Sequence, residues 1–180
     1  MFCVPSPAHA AMGLFDFANA FSYRESMPAV SDHTPYSYRE DAAVPDFTAG
    51  DAVCVMDAKC SLCARGARWI ARQDKRQEFA IIPMQSDVGA ALLVHYGMSP
   101  SDPTSWLYLE NGFAFSSLDA VVRTGQRLGG IWRALAVFNL LPRRAQDAMY
   151  QIIARNRYRF FGEADICALP DPDVQKRLLK

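Results

Sequence analysis

Three side chains in the stretch VCVMDAKCSLCARGARWIA, Val53 to Ala71, have types and spacing that can do chemistry together: Asp57, Cys60 and Cys63. The two cysteines stand in C-x-x-C spacing. On a helix this puts them about one turn apart, with their sulfurs within bonding reach. A dithiol so placed can cycle to a disulfide, supply half of a metal site, or serve as two small core residues. A zinc site needs further ligands, and only Cys54, Cys167 and His95 are on offer, at unrelated spacings. Zinc held by Cys60, Cys63 and Cys167 therefore stands as an alternative to the redox couple.

The elements on either side must decide between these. AVCVM, Ala52 to Met56, is a short continuous apolar run and reads as a buried strand. Ser61 to Gln73 has helical spacing, with Leu62, Trp69 and Ile70 able to share a face. Cys60 then lies in the loop between a strand's carboxyl end and a helix N-terminus, where free N–H groups favour a thiolate. Lys59 is adjacent and would push the same way. Cys60 is expected to be the more exposed thiol and the nucleophile, with Cys63 resolving the mixed disulfide. Asp57 has two readings: a turn residue bonding backbone N–H groups, or a carboxylate that exchanges a proton with a cysteine.

Further along, FAIIPM (Phe79 to Met84) is a second apolar strand, and Ser86 or Asp87 caps a helix that stops at Gly97. WLYLENGFAF, Trp106 to Phe115, is a hairpin turning on Asn111-Gly112. SSLDAVVRTGQRLGG reads as a helix with Ser116, Ser117 and Asp119 at its start. Two more helices are expected, Ile131 to Leu140 and Arg143 to Phe160, with Pro142 at the first turn of the latter and Gly162 as its stop. The order is β-α-β-α-β-β-α followed by two C-terminal helices. A helical crossover makes the first two strands parallel, so the fold class is α/β with a mixed sheet, and a C-x-x-C in this order predicts a thioredoxin-like domain.

Other chemistry-bearing residues have plainer readings. His95 precedes a helix stop, with no serine or carboxylate constellation evident around it. Cys54 sits inside the first strand as a core residue. In ARNRYRFFGEADIC, Ala154 to Cys167, arginines alternate with aromatics. The aromatics are expected on the core and the arginines at the solvated helix end, with no nucleic-acid partner.

The pattern D-A-K-C-S-L-C, Asp57 to Cys63, resembles the DCC family, known for a D-x-x-C-x-x-C signature. DAVVRTGQRLGG (Asp119 to Gly130), LLPRRAQDAMYQIIARNRYRFFG (Leu140 to Gly162) and Cys167 are similar to that family's later segments, so the resemblance covers about Asp51 to Pro172. It implies a thioredoxin-like fold and a thiol-disulfide oxidoreductase activity, with Asp57, Cys60 and Cys63 as the signature residues. Better-known thioredoxin-fold proteins carry a cis-proline before the third strand. Here that position falls near Ser105, and Pro103 comes two residues early. The departure keeps open a non-catalytic, thioredoxin-like interaction module.

Composition bounds the rest. The chain has 180 residues, 51% of them hydrophobic, with 19 basic and 19 acidic side chains, so no global charge points to nucleic acid or membrane. Five cysteines are too few for a disulfide scaffold and suit a reducing compartment. No run reaches membrane-spanning length, and AHA (Ala8 to Ala10) lacks the regions that would make it a signal-peptide cleavage site, so a cytoplasmic location is expected. Residues 1–48 are proline-punctuated and contain SYRE twice, as well as an apolar patch, Met12 to Phe21. They read as a flexible extension or as one whose aromatics drape over the 49–180 domain. No organic cofactor is implied. The expected partners are a disulfide-containing protein or small thiol as substrate, and a dithiol protein or glutathione as electron donor.

Overall fold

The structure, a computed structural model, describes residues 30–100, 105–164, 166 and 171–179. Its centre is β1 (Ala52–Met56), in which every residue is buried. β1 pairs in parallel with β2 (Phe79–Pro83), Ala52 opposite Phe79 and Met56 opposite Pro83. On its other side it pairs antiparallel with β3 (Leu107–Glu110), which turns into β4 (Phe113–Ser116). The sheet order is β2-β1-β3-β4. A strand hemmed in on both edges and both faces must be apolar throughout, which is what AVCVM supplies. Asn111 and Gly112, at φ 50° and 80°, make the hairpin turn expected of that pair.

α1 (Ser61–Gln73) crosses from β1 to β2, and α2 (Asp87–His95) follows β2 with Ser86 Oγ accepting the Gly89 N–H at 3.1 Å. α3 (Ser117–Leu128) follows the hairpin. The fold is thioredoxin-like, a mixed α/β sheet with helices packed on it. The face α1 buries differs from the expected one. Ala64, Ala67, Ile70 and Ala71 are buried, while Leu62 and Trp69 are half-buried. The small alanine stripe brings the helix close to the sheet, and Trp69 turns outward to meet Trp132 edge-on at 5.0 Å.

The helix expected over Ile131 to Leu140 is present, as a 3-10 helix (Gly130–Leu140). None of its residues is buried, so no core face holds it to the α period, and left-handed Gly129 and Gly130 lead into it. It lies along α3, with the Leu135 side chain 2.6 Å from where a Gly125 Cβ would stand. α4 (Arg143–Phe161) then runs back to the sheet, with Pro142 just before its first turn.

Two features were not expected at all. α5 (Pro172–Arg177) closes the described chain, and beyond it Leu178 bridges Ile81 in parallel while the Leu179 N–H donates to Ile81 O at 2.9 Å. Arg177 anchors this arm in a buried ion pair, Nε to Asp74 Oδ2 at 2.9 Å. The second is a relay at the end of α2. His95 Nδ1 lies 2.7 Å from Asp41 Oδ2 and its Nε2 lies 2.8 Å from Ser37 Oγ, so the histidine does have the serine and carboxylate neighbours that its sequence surroundings lack.

Through this relay, residues 30–49 lie across the domain. Tyr38 and Val44 are buried, Tyr38 stacks on Phe47 at 5.6 Å, and the Tyr36 N–H donates to Gly112 O at 3.0 Å. The first SYRE copy, the apolar patch Met12 to Phe21, the AHA motif, Pro103 and Cys167 lie outside the described residues. No described helix is long and apolar enough to cross a membrane.

Candidate active site

The site begins where β1 ends. Asp57 follows Met56 and is 2% exposed, so its carboxylate must find partners within the fold. It has four. Oδ1 accepts the Lys59 N–H at 3.0 Å and Gln85 Nε2 at 2.8 Å, while Oδ2 accepts Arg157 Nη2 at 3.2 Å and the Tyr158 hydroxyl. Burial alone would push this carboxyl up. The bonds from Tyr158, the Lys59 N–H and Gln85, with the Arg157 charge, outweigh it and hold the group below the ordinary carboxylate range. Asp57 is thus an ionised clamp that joins the loop after β1 to the loop after β2 and to α4. Both its oxygens are already occupied by donors, which favours the positioning reading over proton exchange.

Cys60 occupies the N-cap of α1, its carbonyl accepting the Ala64 N–H at 2.9 Å. The neighbouring Cys63 thiol, acting as donor, is the largest influence on its sulfur. Burial opposes ionisation, and the N–H groups of Leu62 and Cys63, with the Arg157 charge, favour it. These backbone groups act as oriented dipoles without closing a formal capping bond. Together they bring the thiol from an ordinary 9.0 to about 6. Cys63 moves the opposite way, held protonated by its role as donor to Cys60 and by burial. Both are free thiols. Cys54 is fully buried in β1 and its thiol is pushed up by desolvation, as a packed core residue should be.

Two expectations about Cys60 need correction. It is 0% exposed, whereas Cys63 is half-buried, so the more N-terminal thiol is not the more open one. The cause is the chain after α4. Gly162 turns it so that the Ser61 N–H donates to Gly162 O at 3.3 Å and the Ala164 N–H donates to Lys59 O at 3.1 Å. The Ile166 N–H reaches Ala58 O at 2.8 Å, and Glu163 bridges Cys60 antiparallel. This strip covers the loop that carries the sulfur. Lys59, expected to stabilise the thiolate, is exposed, and the cation among the largest influences on the Cys60 sulfur is Arg157.

Arg157, Tyr158 and Gln85 were missed by sequence reasoning. The alternation in ARNRYRFF predicts arginines at solvent and aromatics on the core. In the fold Arg157 has a 12%-exposed side chain on Asp57, and Phe160 is 61% exposed. Helical phase was the available signal: Arg157 shares a face with Ala154 and Phe161, and Arg155 and Arg159 do not. Gln85 carries no motif. Ser105, at the position before β3, has an equally unforeseen task. Its Oγ accepts the Ser117 N–H at 2.7 Å, doing for α3 what Ser116 does not, and donates to the Tyr150 hydroxyl at 3.2 Å. Among the described residues no group of three His, Cys, Asp or Glu gathers to hold a metal, and Cys167, on which the zinc alternative depends, is outside them.

Comparison with known proteins shows which family the chain resembles. The profile of the DCC1-like thiol-disulfide oxidoreductase family matches residues 54–163, from β1 through the strip beside Cys60. The chain is 31% identical over 127 residues to the uncharacterized protein YuxK of Bacillus subtilis, covering 71% of this chain and 93% of that one. It is 29% identical over 118 residues to a chloroplastic DCC family protein of Arabidopsis thaliana, covering 65% of this chain and 69% of that one. No solved structure matches it.

Proposed function

Because the chain belongs to the DCC1-like thiol-disulfide oxidoreductase family, we propose that it exchanges electrons with disulfides through Cys60 and Cys63. The observation that carries this reading is the placement of two free thiols, Cys60 at the N-cap of α1 and Cys63 in its first turn. There the Cys63 thiol, the first N–H groups of the helix and the Arg157 charge lower the pKa of the Cys60 thiol, while its role as donor and burial raise that of Cys63. A low thiol pKa gives a high thiolate fraction at neutral pH, and the thiolate is the species that attacks.

The steps balance without a cofactor. The Cys60 thiolate attacks one sulfur of a substrate disulfide, forming a mixed disulfide and releasing the other sulfur as a thiolate. That leaving thiolate takes the proton from Cys63. The Cys63 thiolate then attacks Cys60 Sγ, freeing the substrate's second sulfur as a thiolate, which takes a proton from water, and leaving a Cys60–Cys63 disulfide. Two electrons have passed to the substrate, and a dithiol protein or glutathione restores the pair. Asp57 serves by position: it holds Arg157 near the sulfur and fixes the loop. Free thiols of this kind suit a reducing compartment such as the cytoplasm.

The test is a redox titration of the reduced protein with mass detection. A reversible two-electron couple between roughly −180 and −300 mV, lost in Cys60→Ser and Cys63→Ser with the fold intact, is the expected result. No disulfide at any poise would overturn the reading.

A further inference from the structure

The outer face of α4 takes no part in the site. Of the nine large hydrophobic residues exposed among the described ones, seven fall between Ile131 and Phe160. Ile131 and Leu140 are 79% and 84% exposed, and on α4 itself Ile152, Ile153 and Phe160 are 56%, 40% and 61% exposed. The helix is amphipathic in an unusual sense. Its inward face carries Ala154, Arg157 and Tyr158 to the core and to Asp57. Ala145, Met149, Ile152 and Phe160 recur at helical spacing on the side away from it. Arg144, Arg155 and Arg159, all exposed, line one flank of that apolar stripe. The only acidic residue from Ile131 to Phe160 is Asp147, whose helical phase puts it on the inward side. A chain with equal basic and acidic totals has, among its described residues, gathered most of the exposed large apolar side chains and an unbalanced positive charge on one arm.

We propose that this face docks the protein in the plane of an anionic phospholipid surface, as a peripheral contact rather than a span. Apolar side chains standing out from a helix, with arginines along the flank, bury in the headgroup boundary while the guanidinium groups meet phosphates. Charge complementarity selects this occupant over a second copy of the chain, since two copies joined through the same face would share an interface rich in arginine from both. The inward face of the same helix holds Asp57 and Arg157, so docking would leave the Cys60 loop on the protein side of α4, close to the lipid boundary.

The full chain is tested by co-sedimentation with phosphatidylcholine vesicles, with and without phosphatidylserine, at low and high salt. Binding that requires phosphatidylserine and weakens with salt is expected. It should be lost in the double variant Ile152→Glu, Phe160→Glu and should fall by about tenfold or more when Arg144, Arg155 and Arg159 are all changed to Glu. Circular dichroism and thermal midpoints of both variants confirm that they are folded, and unaltered alkylation of Cys60 shows that the thiol pair is untouched. No sedimentation of the native chain with anionic vesicles, or equal binding to neutral ones, overturns the proposal. So does a dimer in gel filtration that the double variant dissociates, because it would assign the face to a second copy.

Discussion

At the scale of single residues, the site is a division of labour between two sulfurs and a carboxylate. Alkylation of Cys60 should rise with pH and level off above about 6, because thiolate is the reacting form and protonation removes it as pH falls. An ordinary thiol would keep accelerating to about pH 9. Stopped-flow or mass-detected alkylation reads this directly. Cys63→Ala should move the inflection upward by removing the largest stabiliser of the thiolate, and Cys63→Ser should move it less, since a hydroxyl still donates. Asp57 contributes differently. Its side chain is 3% exposed and Arg157 12%, so Asp57→Ala strands a buried guanidinium and should cost about 3 kcal/mol in denaturant unfolding. The folded carboxyl lies below its ordinary value, so its stabilisation is present above the unfolded pKa near 3.8 and is lost as pH falls through the folded value. The stability gap between the native chain and Asp57→Asn should accordingly shrink in acid.

At the scale of elements, the strip after α4 is bonded along the loop that carries Cys60 and is expected to gate access to its sulfur. Gly162 makes the turn at φ 74°, ψ −170°, a region that is essentially glycine-only. Nothing stands within 4 Å of an added Cβ, so Gly162→Ala brings backbone strain without a clash. The expected penalty is of order 1–3 kcal/mol, released most cheaply by detaching the strip. Faster alkylation of Cys60, with quicker hydrogen exchange at Ser61 and Ala164, is the expected outcome. An unchanged alkylation rate would show that the strip does not gate the sulfur. α4 itself does two tasks on two faces, which explains why Arg157 is half of a buried ion pair while Arg155 and Arg159, two residues away on either side, are exposed.

At the scale of the whole molecule, a four-stranded sheet needs its edges managed. Leu178 and Leu179 cover part of β2, and Arg177 locks that arm to Asp74, which also accepts the Glu78 and Phe79 N–H groups at 3.1 Å each. Asp74→Ala removes the anchor and leaves Arg177, 8% exposed, without its charge partner. It should lower stability by about 3 kcal/mol and open the β2 edge, so that light scattering shows concentration-dependent association absent from the native chain. Residues 30–49 brace the domain through Tyr36 at the hairpin and through Ser37 and Asp41 on His95.

Local signals carried much of this in the sequence. The continuous AVCVM run, the Asn111-Gly112 turn, the Ser86 cap and the C-x-x-C after a strand each depend on neighbours a few residues away, and from them the strand–helix order and the thioredoxin-like sheet are legible. The D-x-x-C-x-x-C pattern named the family for the same reason. What stayed hidden were the side-chain partners that chain distance separates. Arg157 and Tyr158 meet Asp57 across about a hundred positions, and Arg177 meets Asp74 across as many. Glu163 covers Cys60, and Asp41 finds His95. No periodicity encodes such meetings. They arise because a buried charge or an unpaired backbone group must be satisfied by whatever the packed helices bring to it. The sequence alone placed Cys60 and Cys63 at the start of a helix after a buried strand, because those signals are local. The tertiary structure decided what covers Cys60 and which cation stands near it, because those groups meet only in the packed fold.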